Sequence, residues 1–144
     1  MFVVPNNTGM SFILRAPDYK NALPFAIWVG EGYYNPSNGQ QWWGQVGFDS
    51  DVNGSYDVSY AGWGVFSNIS GNFGGVDANY PLIPGKAYNF TMALVGNDTW
   101  GFFVNGTPIP EKGNPGFFNT TTNVANWDST LGIEVFNGLV SGPI

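Results

Sequence analysis

The sequence has no cysteine and no histidine, and charged residues make up only 10% of its 144 positions. An ordinary globular domain carries about 25% charge. Without cysteine there is no disulfide framework and no thiolate nucleophile. Without histidine as well, Cys/His zinc sites and His-based catalytic triads are excluded. Lys and Arg total 4 and the net charge is −6, which removes the basic footprint that nucleic-acid binding requires. Long apolar runs are missing too. Stretches such as Phe25-Ala26-Ile27-Trp28-Val29 fall far short of the roughly 20 residues of a membrane-spanning helix. The start, Met1-Phe2-Val3-Val4-Pro5, shows neither a basic segment nor a long apolar one, so no signal peptide is expected there. No metal site and no cofactor are expected.

What the chain does contain is aromatic residues and turn formers. Trp, Tyr and Phe number 6, 7 and 12, and Gly and Pro number 21 and 10. That aromatic content separates the chain from charge-poor disordered sequences. Asparagine supplies a second enrichment. The tripeptide Asn-x-Ser/Thr begins at Asn6, Asn53, Asn68, Asn89, Asn97, Asn105 and Asn119. Such tripeptides accept N-glycans in a secretory or cell-surface setting, so an extracellular or cell-surface glycoprotein is expected. Turn chemistry is the competing explanation, because asparagine favours turns in any β-rich chain.

No stretch carries helical periodicity, and Gly and Pro interrupt the chain every few residues. Short aromatic and β-branched runs lie between them. Strands are expected over 10–15, 25–30, 42–48, 56–66, 88–95, 99–104 and 131–136, with loops around Gly71, Gly74 and Gly75 and over 113–116. This pattern predicts one all-β domain over residues 1–144, an antiparallel β-sandwich of two sheets. Residues 88–109 are the clearest segment. Tyr88, Phe90, Met92 and Leu94 alternate with polar or small residues, and Asn105-Gly106 is a favoured two-residue hairpin turn. In the run 42–48, Trp42, Gly44, Val46 and Phe48 are expected to face the core. Trp43, Gln45 and Gly47 are expected on the outer, concave face. Glu134 is a lone carboxylate on an apolar strand.

Trp28-Val29-Gly30-Glu31-Gly32, then Gln45-Val46-Gly47-Phe48-Asp49, then 56–63 ending in Tyr60-Ala61-Gly62-Trp63, together resemble the eqolisin-type glutamic peptidases. The resemblance runs from about Phe25 to Val104. It implies a concanavalin-like jelly roll. It also implies a catalytic pair, matched here by Gln45 and, by order along the chain, Glu134. In such a pair Glu moves protons for an attacking water while Gln holds the oxyanion, and an apolar setting raises a carboxyl pKa. The Ala-Glu-Trp-Ile-Val-Glu stretch of that family has no counterpart around Glu134.

Three functions follow as expectations. The first is an extracellular, non-catalytic structural or assembly subunit, a homo-oligomer or polymer joined by strand exchange through Phe2-Val3-Val4 or Leu139-Val140. The second is a lectin-like carbohydrate-binding module, with Trp43, Gln45, Tyr60, Trp63 and Tyr34 as ligand-binding residues. Core packing is the alternative role for each of these tryptophans. The third is an acid peptidase using Gln45 and Glu134. Asp49, Asp51 and Asn53 are spaced like the start of a calcium loop, but a strand-to-strand turn accounts for them better because the glycine and distal Glu are misplaced. A glycosidase would need two facing carboxylates, and no motif pairs Glu31 with Glu134.

Overall fold

The computed structural model describes residues 3–16, 25–49, 60–68, 71–96, 98–110, 116–119 and 127–135. The strands are β1 (Val3–Asn7), β2 (Gly9–Arg15), β3 (Phe25–Asn35), β4 (Gln40–Asp49), β5 (Tyr60–Ser67) and β6 (Gly71–Pro81). They continue with β7 (Ala87–Gly96), β8 (Thr99–Val104), β9 (Thr107–Pro108), β10 (Phe117–Asn119) and β11 (Trp127–Val135). Among the described residues there is no helix, and so none long and apolar enough to cross a membrane.

Two antiparallel sheets result. One runs β1-β11-β3-β4-β5-β6 and the other β10-β8-β7-β2, with β9 also on β8. They bury one core between them. From the first sheet come Val29, Trp42, Val46, Phe48, Ala61, Trp63 and Val65. From the second come Tyr88, Phe90, Met92, Trp100, Phe102 and Val104. Aromatic pairs join the layers: Trp63 stacks on Phe102 with centroids 4.5 Å apart and 7° between planes. Phe48 meets Phe90 at 6.1 Å. Each large apolar side chain fully buried in this way contributes about 1.5–3 kcal/mol. The architecture is therefore an all-β two-sheet sandwich.

The alternation expected over 88–109 is observed. Tyr88, Phe90 and Met92 are buried, while Asn89 between them is exposed. Asn105 and Gly106 adopt φ of 51° and 77°, the left-handed pair that a tight hairpin turn requires. Asp98 turns the β7–β8 corner with φ of 56°.

Other expectations need correction. Gly71, Gly74 and Gly75 do not mark a loop but lie in the eleven-residue strand β6. Glycine is a strand breaker by pattern alone, yet β6 is an edge strand, where pairing on one side suffices. β3 does not stop at Gly30 but continues to Asn35. Residues 56–59 and Phe136 lie outside the described residues, as do Asp51 and Asn53. Val3 and Val4 pair with Thr130 and Ser129 of β11 in the same chain. The N-terminal segment is thus already used within its own sheet, and Leu139-Val140 lies outside the described residues. The β1 register shifts between Val4 and Asn7. Pro5 sits in that interval, and a proline is tolerated on an edge strand or at a bulge.

Candidate functional site

β3, β4 and β5 are central strands, and alternation gives each a core face and an outer face. On β4 the core face carries Trp42, Val46 and Phe48, all buried, and the outer face carries Trp43, Gln45 and Gly47. The register then fixes the neighbours. Gly32 and Phe66 flank Trp43, Gly30 and Gly64 flank Gln45, and Trp28 and Gly62 flank Gly47. Both cross-strand neighbours of Gln45 are glycines. This feature organises the face.

The space left by those missing side chains is filled by rings. A methyl placed on Gly30 would lie 2.5 Å from Trp43 Cζ2 and 3.0 Å from Cε2. One on Gly32 would lie 3.0 Å from Trp43 Cε3 and 3.3 Å from Cζ3. The six-membered ring of Trp43 therefore leans across β3 and covers both glycines. On the opposite side, a methyl on Gly64 would meet the Phe66 ring at 3.1 and 3.2 Å and Gln45 Cγ at 3.7 Å. Gln45 thus stands between two aromatic rings and is 8% exposed. Trp43 Nε1 donates to Gln45 Oε1 at 2.8 Å, which anchors the indole to the amide. Phe66 is 37% exposed and Tyr34, farther along β3, is 59% exposed.

The five proposed ligand-binding residues are not all together. Trp43 and Gln45 are in contact, and Tyr34 lies on the same face two residues beyond Gly32. Tyr60 is half-buried and pairs with Asp49, six residues along β4 from Trp43. At about 3.3 Å per residue this places it about 20 Å away. Trp63 is corrected: it lies in the inter-sheet core, 1% exposed, with Nε1 donating to the Ile109 carbonyl at 2.8 Å. The β5 register explains this, because Trp63 faces Val46 across the strands and shares its core side.

The Gln45–Glu134 pair is not assembled either. Gln45 pairs with Gly30, and Gly30 pairs with Thr130, four residues before Glu134. Two strand spacings and four residues separate the two backbones by roughly 16 Å. No water-bridged dyad spans that distance. In the row of residues through Gln45 the neighbours are Thr130, Gly30, Gly64 and Gly74, and none is a carboxylate.

Four of the Asn-x-Ser/Thr asparagines have described side chains, and each already makes an internal bond. Asn68 Oδ1 accepts from Gln41 N at 2.9 Å, and Asn68 Nδ2 donates to the Gly39 carbonyl at 2.8 Å. Asn105 Oδ1 accepts from Asn89 N at 2.9 Å. Asn89 Oδ1 accepts from Ser11 Oγ, and Asn119 Nδ2 donates to Thr99 Oγ1 at 3.5 Å. All four residues are exposed. Asn6 lies in β1, while Asn53 and Asn97 lie outside the described residues.

Phe66, Gly30, Gly32 and Gly64 were not anticipated as parts of the site. A signal existed: Gly30-x-Gly32 and Gly62-x-Gly64 repeat with the strand period of two, which leaves one face of each strand bare. Comparisons with protein-family models, with curated proteins and with solved structures give no match to the chain.

Proposed function

We propose that the protein is a non-catalytic, extracellular sandwich module of concanavalin-like type that binds carbohydrate on the outer face of its six-stranded sheet. The observation that carries this reading is the Trp43 ring laid over Gly30 and Gly32 and tied to Gln45. A sugar ring has an apolar C–H face and a rim of hydroxyls. It is suited by a flat aromatic with an amide beside it. Because packing and a hydrogen bond already hold the indole, binding costs little side-chain entropy. Tyr34 and Phe66 offer further aromatic surface at either side.

The extracellular placement is supported by the Asn-x-Ser/Thr pattern together with the exposure of its asparagines at Asn68, Asn89, Asn105 and Asn119. The peptidase reading has no comparable support, since Gln45 lacks a carboxylate in its row.

A glycan array with the intact protein and Trp43→Ala tests the proposal. The wild type binds at least one oligosaccharide, and Trp43→Ala weakens that binding about 10-fold or more, as loss of an aromatic anchor does. An array without a hit, or binding indifferent to Trp43→Ala, refutes it.

A further inference from the structure

The chemistry of the Gln45 amide narrows the ligand class, on the premise that the outer face is a carbohydrate site. An indole N–H can only donate, so the atom of Gln45 bonded to Trp43 Nε1 is the oxygen. That leaves Nε2, with its two N–H groups, as the end available to a ligand. Among the described residues Nε2 has no hydrogen-bond acceptor, and it is not enclosed as a buried unpaired atom. Its cross-strand neighbours on both sides are glycines, so no neighbouring side chain supplies an acceptor from those positions. Trp28, 7% exposed and paired to Gly47, also has an Nε1 without an acceptor, but that atom is buried and out of reach of a ligand. The Gln45 amide N–H groups are then the donors offered to a ligand around Gln45. An N–H donor left without a partner favours a ligand that brings an acceptor oxygen.

Two classes of sugar bring a strong acceptor: those with a carboxylate and those with an acetamido carbonyl. Electrostatics separates them. The chain has a net charge of −6. Its two described cations, Arg15 at the end of β2 and Lys86 just before β7, belong to the other sheet. Nothing described on the outer face compensates an anion.

We infer that the ligand is an uncharged N-acetylated hexosamine oligomer whose ring stacks on Trp43 while its acetamido carbonyl accepts from Gln45 Nε2. Gln45 is then the specificity-determining residue, and Trp43 positions it as well as stacking.

The experiment is calorimetric titration of the intact protein at pH 7 with two uncharged probes, chitohexaose and cellohexaose. Gln45→Glu is run in parallel. The introduced carboxylate keeps an acceptor for Trp43 Nε1 and removes both amide donors. Chitohexaose is expected to bind about 10-fold or more tightly than cellohexaose, the effect of one hydrogen bond lost. Gln45→Glu is expected to abolish that preference in a protein that still unfolds cooperatively, with a lowered melting temperature because the carboxylate sits at a position only 8% exposed. Equal binding of cellohexaose, or an unchanged preference in Gln45→Glu, overturns the inference. If chitohexaose fails but another glycan binds in a Trp43-dependent manner, the inference falls and the carbohydrate reading stands. If no glycan binds, both fall.

Discussion

Gly30→Ala probes the aromatic platform directly, because the fate of its single added methyl is set by the neighbours. Gly30 is not among the residues with positive φ, so alanine meets no backbone strain there. Taken alone, the change would stabilise by about 0.4–1 kcal/mol through the unfolded chain. The methyl, however, would lie 2.5 Å from Trp43 Cζ2 and 2.9 Å from the Gly44 carbonyl oxygen. The carbonyl belongs to the paired backbone of β4 and moves little, so the indole must yield. Overpacking of this kind costs about 1–3 kcal/mol. Displacing the ring also breaks the Trp43–Gln45 hydrogen bond, about 0.5–1.5 kcal/mol more. The balance is a destabilisation of about 2 kcal/mol, which for a chain of this size lowers Tm by about 6 °C.

Thermal unfolding followed by circular dichroism measures the loss, and the Trp43 indole N–H resonance reports the displaced ring. Gly96→Ala is the control. A methyl there meets nothing within 4 Å, and its Tm should stay within about 2 °C of wild type. A Gly30→Ala protein with wild-type Tm and an unmoved indole resonance would mean that Trp43 does not lie over Gly30, and the platform would be refuted with it.

Further outcomes follow from the same geometry. Gly47→Ala should destabilise by about 3 kcal/mol or more, because its methyl would collide with the Ile27 carbonyl, an atom of the paired backbone; urea unfolding measures this. Trp63→Phe should keep the stack on Phe102 but strand the buried Ile109 carbonyl, costing about 1–3 kcal/mol in the same assay. Asn105→Ala should lose about 1–2 kcal/mol, since alanine resists φ of 51° and the bond to Asn89 N disappears; Asn105→Gly should recover the conformational part. Secretion from a glycosylating host should give an intact mass above the polypeptide's 15.6 kDa that falls on enzymatic removal of N-glycans; a bare mass would count against the extracellular placement.

The strands were legible wherever apolar residues alternated with polar ones around a clear turn. Residues 88–109 show this, since Phe90, Met92 and the Asn105-Gly106 pair need only local chemistry to declare themselves. β6 was not legible. Its glycines read as loop punctuation, and pairing with β5 is what holds them extended. The opposite fates of Trp43 and Trp63 show the same limit. Alternation within one strand separates neighbours such as Trp42 and Trp43. It does not say which set of β5 shares a side with which set of β4. That depends on Val46 standing opposite Trp63, a register set between residues far apart in the chain.

Composition and short-range pattern thus determined the all-β class, the antiparallel two-sheet character and the chemistry that a chain without histidine or cysteine lacks. These are properties of each segment taken alone. Tertiary structure decided which of them met. It drew Trp43 across Gly30 and Gly32, enclosed Gln45 between two rings and used Val3 and Val4 inside the sheet. It also set Gln45 and Glu134 roughly 16 Å apart along and across the strands. The physical reason is that a functional site here is a cross-strand arrangement. Its distances come from strand order and register, which long-range packing chooses.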